Sequence, residues 1–241
     1  MFNYTSRREH GMKVLIIIPA YNEEMNIVTV VDNIIKNHPQ YDYVVVNDGS
    51  RDLTADICRQ HGYNLIDLPV NLGLTGAVQA GMRYALRKGY DAAIQIDADG
   101  QHKPEYIDSM VQKMEETGSE VIIASRFLTK KKDKTLRMLG SNIIASIIKL
   151  STKRKLTDPT SGMRLFSRNI LVKFVYEMNY GPEPDTISYL LKQGVKMEEV
   201  QVDMDERIAG QSYLNLVRSM KYMILMCFSI LVIQRFRKGI K

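Results

Sequence analysis

Acidic and polar residues suited to metal and nucleotide chemistry follow four apolar segments of this 241-residue chain. Two aspartates one residue apart, Asp97 and Asp99, suit a hard divalent cation such as Mg²⁺ or Mn²⁺ that bridges a diphosphate. A carboxylate such as Asp48 can accept hydrogen bonds from uracil, guanine or ribose. The four motifs are Pro-Ala-Tyr-Asn-Glu-Glu (19–24), Asn-Asp-Gly-Ser (47–50), Asp-Ala-Asp-Gly-Gln-His (97–102) and Ser-Arg-Phe (125–127).

Strands and helices alternate along the first half of the sequence, and each motif follows a strand. Continuous runs of Val and Ile indicate buried strands, whereas apolar residues spaced three and four apart indicate helices. The pattern predicts an α/β fold with a mainly parallel sheet covered by helices on both faces. The predicted strands are 14–18, 43–47, 65–68, 92–96 and 120–124, and the predicted helices are 23–36, 52–61, 75–88 and 104–116.

Ligands of such sheets bind at the carboxyl ends of the strands, so the four motifs are predicted to gather along one edge. Each motif also has an ordinary structural explanation. Asp48-Gly and Asp99-Gly are common turn pairs, and Glu23 suits a helix N-terminus. Four motifs on one edge favour a ligand site over turn chemistry alone.

The spacing of the glycines and the small number of cysteines exclude several other kinds of site. The chain has no Walker motif, and Gly73, Gly76 and Gly81 do not have the Rossmann spacing. Cys58 and Cys227 are too few for a disulfide framework or a structural zinc site. Acidic residues with a divalent cation, rather than a glycine-rich loop, are therefore predicted to hold phosphates.

Positive charge is concentrated in two segments, although the net charge is only +6. Residues 129–156 contain nine Lys or Arg and one Asp, and residues 207–241 contain seven Lys or Arg and no acid. Both segments are also strongly apolar, which favours an anionic membrane surface over nucleic acid as the partner. Two solvated surface helices with basic faces are the plainer alternative.

No segment is predicted to be a signal peptide or to span a membrane. The apolar run 14–20 leads into Tyr-Asn-Glu-Glu without a cleavage region. The run 222–233 would form a helix of about 18 Å, against a hydrocarbon core of about 30 Å. The expected location is cytoplasmic, peripheral on the inner face of the membrane. The expected organisation is a leader (1–12), a catalytic domain (13–212) and a C-terminal helix at the membrane interface or in an oligomer contact (213–241).

The segment after residue 135 is predicted to be an amphipathic helix with basic residues at both ends. Its apolar stripe either packs on the sheet or faces a membrane, and the flanking charges favour the second interpretation. The stripe contains Leu136, Leu139, Ile143, Ile144, Ile147 and Ile148, opposite Arg137, Ser141, Asn142 and Lys149.

The ordered set of motifs resembles glycosyltransferase family 2 over about residues 13–212, and within it the branch of polyprenyl-phosphate sugar transferases. Besides the four motifs, Asn-Leu-Gly-Leu-Thr-Gly-Ala (71–77) and Asp-Pro-Thr-Ser-Gly-Met-Arg (158–164) contribute to the resemblance. It implies a GT-A fold with a Rossmann-like nucleotide-binding half, a nucleotide-sugar donor, a divalent cation and inversion at the anomeric carbon.

The resemblance also implies roles for individual residues. Asp48 corresponds to the acid that binds the base, and Asp97 and Ala98 to the half of the Asp-x-Asp motif that contacts the donor. Asp99 and Gln101 correspond to metal ligands. The remaining correspondences are Pro19, Ala20, Tyr21 and Glu23 to the nucleotide-binding loop, Arg126 to an arginine that contacts donor or acceptor phosphate, and Arg207 to a flexible loop over the diphosphate.

The acceptor decides whether the reaction needs a general base. A polyprenyl phosphate is already anionic, whereas a sugar hydroxyl must lose its proton to a carboxylate. The family often has a catalytic acid in the region of Glu183 and Asp185, which makes Asp185 a candidate base; alternatively both acids only begin a helix that runs to Lys192. The chain departs from the family at Tyr213, where many members have lysine.

Two other function classes compete with a glycosyltransferase. A nucleotidyltransferase that makes sugar nucleotides would have a loop rich in Gly and Arg after its first strand, unlike residues 19–24. A non-catalytic sugar-nucleotide-binding module would be expected to lose the metal acids, yet Asp97, Asp99 and Gln101 are present.

Overall fold

A seven-stranded sheet forms the centre of the molecule. The computed structural model describes residues 11–130, 132, 135–178, 180–205 and 216–236. The strands stand in the order β3-β2-β1-β4-β6-β5-β7. They are β1 (Val14–Ala20), β2 (Asp42–Asn47), β3 (Leu65–Asp67), β4 (Ala92–Gln95), β5 (Val121–Ser125), β6 (Arg164–Ser167) and β7 (Met197–Gln201).

One strand of the sheet runs against all the others. β6 lies between β4 and β5 and is antiparallel to both, with Arg164 opposite Gln95 on one side and Ile123 on the other. Since β6 reverses direction relative to both neighbours, β5 runs parallel to β1, β2 and β4. The carboxyl ends of the four strands that carry the motifs therefore lie on one edge, as predicted.

Helices cover both faces of the sheet, as predicted. Alternation along β1 directs Leu15 and Ile17 to one core and Ile16 and Ile18 to the other. The first core is covered by α3, α5, α6, α7 and α8, and the second by α1, α2 and α4. The helices are α1 (Ile27–Asn37), α2 (Thr54–Gln60), α3 (Gly73–Arg87), α4 (Ile107–Thr117), α5 (Leu136–Thr152), α6 (Arg168–Val172), α7 (Pro184–Lys192) and α8 (Leu216–Leu231).

The first helix starts later than its sequence pattern predicts. Helix α1 begins at Ile27 rather than at residue 23. Its leading residues form a turn in which the N–H groups of Asn26 and Ile27 both donate to the carbonyl of Glu23. The turn leaves Glu23 in the loop after β1, where its side chain can belong to a site.

The apolar stripe of α5 divides between the core and the surface. Ile144 and Ile148 are fully buried, whereas Leu139 and Ile143 are exposed. Ser141, which the pattern placed on the polar face, is instead buried, because the segment before β6 packs against it through Thr160.

Within the predicted C-terminal segment (213–241), the structure describes a helix, α8, followed by a short 3₁₀ turn (Ile233–Arg235). It packs on α5 and α7, and its Ile230 belongs to the core. Within the described ranges, no helix combines the length and apolarity needed to cross a membrane.

Candidate functional site

The loops after β1 and β2 are tied together by reciprocal hydrogen bonds. The N–H of Asn22 donates to Ser50 Oγ at 3.0 Å, and Asn22 Oδ1 accepts from the N–H of Arg51 at 2.9 Å. The N–H of Glu23 donates to Thr54 Oγ1 at 2.9 Å. Asn22 adopts a left-handed conformation (φ 56°), which asparagine tolerates better than most residues. The two motifs therefore form one structural unit.

The expected nucleotide-binding residues lie beside this unit. Pro19 and Ala20 end β1, and the carbonyl of Ala20 accepts from the N–H of Asp48 at 2.8 Å. Tyr21 follows directly and is 38% exposed. Glu23 Oε2 accepts from the side-chain amide of Asn26 at 2.6 Å. The structure thus brings these predicted residues together next to Asp48.

Asp48 is buried where the loop after β2 meets the start of α3. Its Oδ1 accepts from the N–H of Leu72 at 2.7 Å. Burial raises the pKa of Asp48, and hydrogen bonds from the N–H groups of Leu72 and Gly73 oppose the rise. Gly49 turns the chain at φ +63°, and any Cβ there would lie 2.7 Å from backbone atoms of residues 70 and 71. The pair Asp48-Gly49 therefore both turns the chain and supplies a carboxylate to the candidate site.

The Asp-x-Asp motif leaves the end of β4 in a compact loop. The Asp97 side chain is 37% exposed, and its Oδ1 accepts from Gln95 Nε2 at 3.1 Å. Asp99 is buried, and its Oδ1 accepts from the N–H of Gln101 at 3.0 Å. Ala98 between them is also buried. Both carboxylates and the side-chain amide of Gln101 thus come from one short loop.

These donors fit a divalent cation that is shared with a bound diphosphate. In the described part of the chain, no group of three His, Cys, Asp or Glu side chains could hold a metal by itself. Mg²⁺ is usually bound through one or two carboxylates together with substrate phosphates and water. Asp97, Asp99 and Gln101 offer the hard oxygen atoms that such a site needs.

Arg126 is held by an acid from the segment after α5. Its Nε and Nη2 donate to Asp158 Oδ2 and Oδ1 at 2.7 and 2.9 Å. Asp158 is fully buried, and the N–H groups of Thr157 and Asp158 donate in turn to the carboxylate of Glu199. The arginine expected to contact phosphate is thus fixed in direction. Asp158 belongs to a motif noted in the sequence, but its pairing with Arg126 depends on the tertiary fold.

A lysine that the sequence did not distinguish from its neighbours lies beside Arg126. Lys132 Nζ donates to Ser141 Oγ at 3.0 Å, and Ser141 Oγ lies 3.1 Å from Thr160 Oγ1. The Arg126 guanidinium and the Lys132 ammonium lie 5.0 and 5.1 Å from the centre of the Phe127 ring. Burial lowers the pKa of Lys132; the negative charge of Asp158 opposes this shift, and the positive charge of Arg126 adds to it. Two cations thus converge at the carboxyl end of β5.

Asp185, the candidate base, is buried at the start of α7 and faces α8. Its Oδ1 accepts from the N–H of Thr186 at 2.8 Å, and its Oδ2 accepts from Ser229 Oγ at 2.6 Å. Glu183 accepts from the hydroxyl of Tyr222, also on α8. Both acids therefore join α7 to α8, and both lie at the start of α7, as the alternative interpretation predicted.

Arg207 and Tyr213 lie outside the described residues. The chain that leads towards Arg207 ends its described part at Asp205, beside the Asp-x-Asp loop. The N–H of Asp205 donates to the carbonyl of Gln101 at 3.1 Å, and Lys103 Nζ lies 2.8 Å from Asp205 Oδ1.

Comparison with protein families and curated sequences gives consistent matches. The model of glycosyl transferase family 2 matches residues 15–174. A UDP-N-acetylglucosamine–dolichyl-phosphate N-acetylglucosaminyltransferase of Methanococcus voltae is 33% identical over 178 residues, covering 66% of this chain and 70% of that protein. An undecaprenyl-phosphate mannosyltransferase of Micrococcus luteus is 28% identical over 213 residues, covering 83% of this chain and 87% of that protein.

Solved structures of low sequence identity share the fold. Glucosyl-3-phosphoglycerate synthase from Mycobacterium tuberculosis, in complex with Mn²⁺, UDP and phosphoglyceric acid, gives a TM-score of 0.68 at 18% identity, covering 91% of this chain and 78% of that chain. A mannosyltransferase from Pyrobaculum calidifontis, in complex with GDP-Man and Mn²⁺, gives a TM-score of 0.64 at 16% identity, covering 95% of this chain and 65% of that chain. This likeness confirms a mostly parallel α/β fold of the GT-A type.

Proposed function

This chain belongs to glycosyl transferase family 2, and we propose that it transfers a sugar, with inversion, from a nucleotide-sugar donor to a polyprenyl phosphate. The observation that carries the proposal is the convergence of Asp48, Asp97 and Asp99 at one edge of the sheet. The two relatives named above act, by their names, on dolichyl and undecaprenyl phosphates. A cell-envelope glycan is the alternative acceptor.

The donor is proposed to lie along the ends of β1, β2 and β4. The nucleoside would contact Asp48 and the loop that contains Pro19, Ala20, Tyr21 and Glu23. The diphosphate would reach Asp97 and Ala98, and a divalent cation, Mg²⁺ or Mn²⁺, would be held by Asp99 and Gln101. When bound, such a cation offsets the negative charge that develops on the leaving diphosphate.

Transfer requires one bond to form and one to break at the anomeric carbon. An acceptor oxygen attacks C1 of the sugar from the face opposite the diphosphate, and the C1–O bond to the diphosphate breaks. The nucleoside diphosphate leaves with the bonding electron pair, and the configuration at C1 inverts. Arg207 is proposed to stabilise the departing diphosphate with its positive charge.

The acceptor phosphate is proposed to lie between Arg126 and Lys132. These are the two cations that converge beside the Phe127 ring at the end of β5. A phosphate oxygen needs no general base. If the substrate is a polyprenyl phosphate, the role of Asp185 would instead be to hold α8 in place by accepting a hydrogen bond from Ser229. With a glycan hydroxyl as acceptor, Asp185 is the proposed base.

The face formed by α5 and α8 is proposed to rest on the cytoplasmic side of an anionic membrane. Each cation near such a surface contributes about 1 kcal/mol of attraction. A contact between copies of this chain is the alternative use of the same face. The exposed apolar side chains are Leu139, Ile143 and Leu150 on α5 and Ile224, Leu225 and Phe228 on α8, and the exposed cations beside them are Lys149, Lys153, Arg154, Lys155 and Lys221.

A panel of labelled nucleotide sugars tests the proposal. The full chain is incubated with each donor, with Mg²⁺ or Mn²⁺, with and without polyprenyl phosphate. Lipid-extractable label is expected only when donor, cation and polyprenyl phosphate are all present. Synthesis of a nucleotide sugar from a nucleoside triphosphate and a sugar 1-phosphate would instead establish a nucleotidyltransferase. Donor binding without turnover on any acceptor would indicate a binding module.

A further inference from the structure

His102 ends the Asp-x-Asp motif and has no role in the function proposed so far. It is 7% exposed, and its Nδ1 accepts a hydrogen bond from the backbone N–H of Asp97 at 2.9 Å. Because a neutral imidazole has one donor and one acceptor nitrogen, the proton is on Nε2. With one ring nitrogen used by Asp97 and the other protonated, His102 has no free lone pair for a cation.

The hydrogen bond closes the loop on itself. It joins the first and last residues of the segment 97–102, and this segment contains the proposed metal ligands Asp99 and Gln101. A second hydrogen bond, from the N–H of Gln101 to Asp99 Oδ1, lies within the closed loop. The relative positions of the two proposed ligands therefore depend on the acceptor at Nδ1.

Gly162 lies against the other side of this closure. A Cβ built on Gly162 would lie 3.0 Å from Asp97 Oδ2 and 3.1 Å from His102 Cε1. The segment around Gly162 is anchored nearby, since Asp158 is bound by Arg126. The loop is thus held from within by the histidine and packed from behind by Gly162, where even a methyl group would require Asp97 or His102 to shift.

We propose that His102 is a positioning residue, which fixes Asp97, Asp99 and Gln101 in the arrangement that binds a divalent cation with the donor diphosphate. The inference rests on the proposed function, because that function places the cation at these residues. It assigns to His102 neither a ligand role nor a proton-transfer role. Its effect comes from the single acceptor that it offers to the N–H of Asp97.

Two substitutions separate the acceptor from the ring. His102→Leu replaces the ring by an apolar side chain of similar size and removes the acceptor, whereas His102→Asn keeps an acceptor at the position of Nδ1. Binding of Mn²⁺ in the presence of UDP or GDP is measured by electron paramagnetic resonance. Loss of groups that support metal ligands typically weakens metal binding by about 10–100-fold, which is the effect expected for His102→Leu. His102→Asn should recover most of the affinity.

Gly162→Ala perturbs the same loop while leaving the histidine itself in the sequence. Its Cβ must displace Asp97 or His102 by a few tenths of an ångström, so we expect weaker Mn²⁺ binding here too. Ala80→Gly is the control, because it removes one methyl group from α3, away from this loop. Gly118→Ala is unsuitable as a control, because Gly118 has a positive φ. The positioning role is wrong if His102→Leu binds Mn²⁺ as the wild type does, or if His102→Asn is as weak as His102→Leu.

The tautomer of His102 provides a test that needs no metal. Nitrogen NMR of the wild-type chain without metal should show a protonated Nε2 and an unprotonated Nδ1. A protonated Nδ1 would overturn the inference whatever the metal measurements give. If the wild type binds no Mn²⁺ with either nucleotide while the tautomer is as expected, the proposed function fails at its metal site, and the closure of the loop by His102 is retained only as a structural finding.

Discussion

The Arg126 guanidinium is bound through two of its nitrogens by one carboxylate, that of Asp158, at 2.7 and 2.9 Å. The exposures of the partners differ, since the Asp158 side chain is fully buried and 23% of the Arg126 side chain is exposed. Removing the arginine would leave a buried anion without its cation, whereas removing the charge of Asp158 would leave a cation that can turn towards water.

This asymmetry predicts an order of stabilities. Arg126→Met should lower the free energy of unfolding by about 3 kcal/mol, because a buried charge loses its partner. Asp158→Asn should cost about 1 kcal/mol, because the amide retains an acceptor for Arg126. Urea unfolding at pH 7 measures both values. Equal losses would show that the exposure of Arg126 does not affect the stability cost of breaking the pair.

Replacement of the buried acid of the Asp-x-Asp motif should abolish transfer without unfolding the chain. Asp99→Ala is expected to lower transfer at saturating Mn²⁺ by at least about 100-fold, since a proposed metal ligand is lost. Asp56→Ala is the matched control, because Asp56 is exposed on α2, where it pairs with Arg59 at the surface. Full activity of Asp99→Ala, or of the wild type in excess EDTA, would remove the metal from the mechanism.

Donor binding should weaken at acidic pH because Asp48 must be ionised to accept hydrogen bonds from a nucleoside. Burial raises the pKa of Asp48 above the usual value for aspartate. The KM for the donor should therefore begin to rise, as pH falls, at a higher pH than an ordinary aspartate would give. Asp48→Asn should have a high KM that no longer changes over that range. An unaltered pH profile in the variant would exclude Asp48 from donor binding.

The same shift predicts an opposite effect on stability. A carboxyl group whose pKa is higher in the folded than in the unfolded chain lowers the free energy of unfolding once pH exceeds both values. Asp48→Asn retains an acceptor for the N–H of Leu72 and removes this cost at pH 7. Its melting temperature should equal or exceed that of the wild type while donor binding is weaker. A lower melting temperature would indicate that Asp48 is mainly structural.

Two lysines near the end of β5 allow a matched test of the acceptor site. Lys132 lies beside Arg126, whereas Lys130 is exposed and pairs with Asp203. Lys132→Met should raise the KM for polyprenyl phosphate by at least about tenfold, in keeping with about 1.5–3 kcal/mol for a hydrogen bond to a charged group. Lys130→Met should leave that KM within about twofold. Similar effects of both substitutions would indicate general attraction rather than a site.

Point substitutions on α5 and α8 test membrane binding without removing core residues. Leu150 is 80% exposed and Phe228 52% exposed, so Leu150→Glu with Phe228→Glu should preserve the fold and abolish flotation with anionic vesicles. Ile35→Glu on α1, on the opposite face of the sheet, is the control and should float. If the intact chain ignores vesicles while the double variant dissociates an oligomer, the face is a contact between copies.

The sequence predicts the parallel core of this fold because its strands are continuous apolar runs. β2 and β4 are examples, since each follows a turn and is buried at its carboxyl end. β6 gives no such signal, because it begins with Arg164 and has only Leu165 and Phe166 as consecutive apolar residues. Arg164 is nevertheless buried, and its Nη2 donates to the carbonyl of Pro159. Because charged residues are mostly exposed, its presence argues against a buried strand at this position.

The site could be predicted as far as its residues lie at strand ends. Asp48 and the Asp-x-Asp pair were found in this way. Lys132 was one of four lysines in a short run, and only the packing of α5 buries it against Ser141. His102 was visible in the motif, but its tautomer follows from a hydrogen bond that no spacing reveals.

The reversed strand β6 has a consequence for synthesis of the chain. β4 ends at Gln95, and β6, which covers its free edge, begins about 70 residues later at Arg164. At 5–20 residues per second, the ribosome needs roughly 4–15 s to make that stretch. If the first four strands assemble as they emerge, they present an open, apolar sheet edge throughout this interval, a surface on which nascent chains aggregate. The free edge of β4, in the half of the chain that carries the proposed donor site, would then need protection until β6 has been made.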